Sequence, residues 1–66
     1  MIGKLTQEQF DTFYKGSMVC AVYNRERKGV ITGYVNAVDG VIIEYTEIDT
    51  GRGLADYLDN LEWETN

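Results

Sequence analysis

The sequence predicts an α+β fold: an N-terminal helix, a three-stranded antiparallel meander and a C-terminal helix, in a single domain over residues 1–66. Three observations lead there. Residues 5–14 place an apolar face behind a helix-start signal. Three runs rich in β-branched and aromatic residues follow between residues 17 and 48. Leu54, Tyr57, Leu58 and Leu61 then show the i, i+3, i+4, i+7 spacing of an amphipathic helix.

The first helix is read in LTQEQFDTFY. Thr6 and Gln9 have the spacing of a capping box, in which each side chain satisfies the other residue's free backbone N–H. Glu8 lies in the first turn, where the helix dipole favours negative charge. Phe10, Phe13 and Tyr14 share one face, and Lys15-Gly16 supplies the stop.

SMVCAVY (17–23) is the first expected strand, NRERKG (24–29) a charged turn, GVITGYVNAV (29–38) the second strand and VIIEYTEI (41–48) the third. Asp39-Gly40 suits a type I′ turn, which needs positive φ at both central residues. That turn pairs Val38 with Val41 and Tyr34 with Tyr45, and the 24–29 loop pairs Tyr23 with Val30 and Val19 with Tyr34. One face then carries Met18, Cys20, Val22, Ile31, Gly33, Val35, Ala37, Ile42 and Ile48, with Glu44 and Thr46 as polar exceptions, and is expected to be the core. The other carries Val19, Ala21, Tyr23, Val30, Thr32, Tyr34, Asn36, Ile43, Tyr45 and Glu47, and is too apolar to face water without a cover. In the last helix Asp56, Asp59 and Glu62 form the solvated face.

GVITGYVNAVDGVIIEY resembles the first motif of the Sm-like RNA-binding proteins, with Gly33, Val35, Val38, Asp39 and the run Val41–Ile43 in its places. The resemblance implies a small SH3-like β-barrel preceded by a helix, with Gly33 permitting the bend that closes it. It also allows YLDNLEW (57–63) to be laid over the second motif as two short strands interrupted by a turn. Where that motif has an arginine–glycine pair, this chain has Leu58-Asp59. The function implied is RNA binding by a homo-oligomeric ring.

Composition restricts the function classes. With no histidine and only Cys20 for a thiol, zinc and disulfide chemistry lack their ligands. Cys20 falls mid-strand, DxxD at 56 and 59 has the spacing of a solvated helix face, and Asp39-Gly40 lacks the ligand spacing of a calcium loop. The expectation is a protein that is no enzyme and has no cofactor, metal or catalytic residue. No apolar run has the length of a membrane span, so no membrane role is expected and the protein is placed in the cytoplasm.

The net charge of −5 is concentrated: residues 44–64 hold seven acidic side chains against Arg52. Acidity of that kind attracts a protein with a basic surface and makes nucleic acid a less suitable partner. The leading functional expectation is therefore a small acidic protein-binding module, with a homo-oligomer as a further source of stability for so short a chain. A sharper version is an inhibitor of a nucleic-acid-handling enzyme encoded by a mobile element, with Asp56, Asp59, Glu62 and Glu64 standing in for phosphates. Val19, Tyr34, Ile43 and Tyr45 are the candidate partner-binding residues on the sheet, and Arg25, Arg27 and Lys28 the candidate phosphate contacts.

Overall fold

A computed structural model describes residues 4–64. The architecture is mostly β: a short N-terminal helix followed by a five-stranded antiparallel open sheet. The expected C-terminal helix is absent, and two short strands stand in its place.

The N-terminal helix starts as expected. Gln9 donates its N–H to Thr6 Oγ1 and Thr6 donates its own to Gln9 Oε1, both at 3.1 Å. Its α turn, Gln7–Gln9, widens into a π-helical stretch, Phe10–Tyr14, closed by the Lys15 N–H on the Phe10 carbonyl at 2.9 Å. The wider turn aligns i with i+4, so Phe10 and Tyr14 stack with ring planes 6° apart. It rotates Phe13 off that face, and Phe13 is left 67% exposed instead of joining the expected stripe. Gly16, at φ 82°, then ends the helix as expected.

The strands are β1 (Met18–Ala21), β2 (Asn24–Ala37), β3 (Gly40–Glu47), β4 (Gly53–Tyr57) and β5 (Leu61–Trp63), in the order β4-β3-β2-β1-β5. The first reversal is tighter than expected. Ala21 pairs with Asn24, so Val22-Tyr23 makes the turn and NRERKG belongs to β2. The second reversal is shifted by one residue. Ala37 pairs with Gly40 around Val38-Asp39, and Tyr34 pairs with Ile43 rather than Tyr45. Among the described residues no non-glycine has a positive φ, so Asp39-Gly40 does not form the type I′ turn.

An irregularity between Ile31 and Gly33 leaves Thr32 as an extra residue in β2. The bulge changes the phase of the strand. Ile31 comes to pair with Tyr45 on the same side as Ile43, and Val19 and Ala21 follow on β1. The core is therefore Leu5, Phe10, Val19, Ala21, Ile31, Ile43, Tyr45 and Leu61. This reverses most of the expected faces: Ile31 and Cys20 are buried as expected, but Val35 and Ile42, expected inside, lie on the outer side, and Val19, Ala21, Ile43 and Tyr45 take the core. The cover that the second face required is the N-terminal helix, whose Phe10 ring packs 4.7 Å from that of Tyr34. Asn36 fastens this segment by a reciprocal pair of 2.9 Å hydrogen bonds with the Leu5 backbone.

Residues 53–63 escape the helical reading for two reasons. In β4, Leu54 and Asp56 point to the core side and Ala55 and Tyr57 away, so a carboxylate occupies an inward position and hides the two-residue period. A 3₁₀ turn, Leu58–Asn60, then resets the phase before Leu61. The competing helix would be short and unsupported, whereas the strands satisfy the open edges of β3 and β1.

β4 and β5 lie at opposite edges of the sheet, about 19 Å apart if five strands lay flat. Four residue steps from Tyr57 to Leu61 reach about 14 Å at most. The sheet must therefore curl. At Gly29 the backbone of β3 comes close to β2: an added Cβ would lie 2.2 Å from the Thr46 carbonyl oxygen. At Gly33, which the resemblance makes the site of a bend, an added Cβ would meet only the flexible Glu44 carboxylate, and the bulge at Thr32 adjoins it.

Gly29→Ala should accordingly cost about 3 kcal/mol or unfold the protein, because backbone atoms must move. Gly53→Ala, where nothing lies within 4 Å, should change stability by under about 1 kcal/mol. Urea denaturation of the two variants compares them directly, and equal midpoints would refute a requirement for glycine at position 29.

Candidate functional site

Three of the expected site residues, Asp56, Tyr45 and Arg27, come together, partly buried within the molecule. Asp56 projects from β4 toward Tyr45 on neighbouring β3, Arg27 on β2 and Tyr23 in the β1–β2 turn. Its carboxylate accepts a hydrogen bond from the Tyr45 hydroxyl and another, 2.5 Å long, from the Tyr23 hydroxyl. Arg27 Nε lies 3.5 Å from Asp56 Oδ2 and donates to the Tyr45 hydroxyl at 3.1 Å. The Arg27 guanidinium also stands 5.8 Å from the centroid of the Tyr23 ring, within cation–π range. The Asp56 side chain keeps only 12% of its exposure.

This arrangement satisfies a half-buried charge; it does not activate one. Burial, and then the hydrogen bond to Asp56, pushes the Tyr45 hydroxyl up to about 12. Tyr23 is raised chiefly by its bond to the same carboxylate. Neither phenol is poised to exchange protons near neutrality.

The other two expected phosphate contacts are engaged by the acidic C-terminal third. Arg25 Nη2 meets Glu62 Oε1 at 2.6 Å, and Lys28 Nζ meets Glu64 Oε1 at 3.1 Å. The pairs follow from register, since Cys20 of β1 pairs with Lys28 on one side and Glu62 on the other. Together they roof Cys20, which is buried although it sits on the outer face of the sheet. Burial and the nearby Glu64 and Glu62 raise its thiol, the reverse of what a nucleophile requires.

The candidate partner-binding residues therefore divide. Val19, Ile43 and Tyr45 are core and present no surface, while Tyr34 is half covered by the helix. Asp56, Glu62 and Glu64 are engaged with this chain's own cations, and Asp59 alone of the four acids is exposed and outside any ion pair among the described residues. The spacing of the four as one helical face disappears with the helix. Among the described residues no cluster of His, Cys, Asp or Glu has metal-site geometry, and no helix is long and apolar enough to cross a membrane.

Sequence reasoning missed the outer surface at the hairpin end. Val35 pairs with Ile42 and Ile42 with Tyr57, which sets three apolar side chains side by side across three strands. Val38 is fully exposed at the adjoining turn. The alternation of both strands showed two apolar faces; only the bulge at Thr32 and the docking of the helix decide which one is open.

Because the folded value of Tyr45 lies above that of an unfolded tyrosine, the neutral phenol stabilises the fold fully below about pH 10, and that contribution is lost as pH rises toward 12. Tyr45→Phe should cost about 1–2 kcal/mol at neutral pH and flatten the alkaline limb of a stability–pH curve. An alkaline limb unaltered by the substitution would show that Tyr45 contributes nothing to it. Asp56→Ala should cost about 3 kcal/mol, since it strands Arg27 and two phenols, and Asp59→Ala under about 0.5 kcal/mol, both read by urea denaturation.

No family model, no curated protein and no solved structure matches this chain.

Proposed function

We propose that this chain is a non-enzymatic protein-binding module whose partner presents a basic and apolar surface. The observation that carries the reading is the internal pairing of Arg25, Arg27 and Lys28 with Glu62, Asp56 and Glu64. Those pairs occupy the cations that suited phosphate binding. The acids Glu8, Asp11, Glu26, Asp39, Glu44, Glu47, Asp49 and Asp59 stand in no ion pair among the described residues, and set against Lys4, Lys15 and Arg52 they leave the net charge of −5 outside the pairs. A negative surface repels nucleic-acid backbones and steers basic proteins toward itself. The same pairing supports general protein binding over phosphate mimicry, because three of the four mimic residues are already engaged.

A second reading, an Sm-like RNA-binding ring, is favoured by one observation. Residues 53–63 run strand, 3₁₀ turn, strand, the form that overlay on the second Sm motif requires, and β4 and β5 each offer an outer edge.

The folded chain, immobilised and exposed to lysate, should retain a basic protein. Its affinity should fall severalfold between about 0.05 and 0.3 M salt and again on Glu44→Lys with Asp59→Lys. Retention indifferent to both salt and charge reversal would refute the electrostatic basis. Light scattering and binding to single-stranded RNA at low salt address the alternative: a monomer that ignores RNA ends the ring reading.

A further inference from the structure

Resting on the protein-binding reading, we infer that the docking surface is the outer face at the β2–β3 hairpin end, Val35, Ile42 and Tyr57 with Val38, and that its occupant is a short segment of another protein carrying apolar residues next to lysine or arginine. The three paired side chains lie on a sheet face that the helix does not cover, and Val38 is fully exposed in the adjoining turn.

Charge chooses the occupant. Glu44 is one step along the same outer face, exposed between Gly33 and Ala55, with Lys15 and Asp11 of the helix lining the recess on its Gly33 side. Asp39 stands at the other end, where the Tyr57 hydroxyl donates to both carboxylate oxygens at 3.0 and 3.1 Å. Beyond Tyr57 a shallow cleft of about 410 Å³ opens toward Asp59 and Asn60. An apolar strip with carboxylates at both ends and an aromatic ring beside the cleft suits a segment that lays a leucine-like residue on Ile42 and directs cations toward Glu44 and Asp39.

A second copy fits poorly. Self-pairing would bring Asp39 and Glu44 against their own likenesses, and four side chains fall well short of the roughly 800 Å² per partner of a stable interface.

The test uses the isotope-labelled chain and a short amphipathic peptide of leucine and lysine, with a leucine–glutamate counterpart as control. The lysine peptide should give saturable amide shifts centred on Val35, Val38, Ile42, Glu44 and Tyr57, and the glutamate peptide none. Tyr57→Ala and Glu44→Lys, each at an exposed site and checked for a native spectrum, should each weaken binding about tenfold. Phe13→Ala, at an exposed apolar residue outside the strip, should leave it unchanged. Saturable shifts elsewhere, or equal binding of the glutamate peptide, overturn this surface while leaving the broader reading intact. Failure of the lysine peptide overturns the surface, and failure to retain any basic protein from lysate as well overturns both.

Discussion

The Asp56 carboxylate is the point on which the rest of this small sheet depends. It belongs to an edge strand, yet it is bonded to the neighbouring strand through Tyr45, to the next but one through Arg27, and to the β1–β2 turn through Tyr23. A flat sheet could not bring the last of these within reach of β4. The cluster thus fastens the curl that the three-residue connection between β4 and β5 demands, and it does so with a charge-assisted network instead of additional apolar volume. For a chain whose core is eight residues, that substitution matters.

The network also explains how a strongly acidic chain distributes its charge. The C-terminal acids reach the basic stretch of β2 because β5 returns to pair with β1, and β1 lies beside β2. Arg25 with Glu62 and Lys28 with Glu64 are solvent-facing pairs, each contributing little to stability alone. Their larger consequence is the character of the surface: the basic patch is neutralised, and outside the pairs acids outnumber the remaining cations Lys4, Lys15 and Arg52.

Several elements were legible along the chain because their causes are local. The capping box of Thr6 and Gln9, the glycine stop at Gly16 and the hairpin joining β2 to β3 all follow from residues within a few positions of one another. The candidate site was legible only as an inventory. Tyr45 and Asp56 are expected to bind a partner and Arg27 a phosphate, and nothing in their spacing shows that the three meet. The outer strip went unrecognised because Val35 and Ile42 satisfy the pattern of a buried face as well as Val19 and Ile43 do.

Tertiary structure decided what local pattern leaves degenerate. A strand with two apolar faces has no inside until one extra residue, Thr32, sets its phase and a helix docks on one side. A ten-residue segment with leucines at helical spacing is too short to nucleate a helix against two open sheet edges, and it resolves as strands around a 3₁₀ turn. Residue order thus determined the local signals: caps, turns, apolar content and an acid surplus. The free energy of completing backbone ladders and of satisfying one inward carboxylate decided which face is core, where the chain bends, and which charges reach the surface.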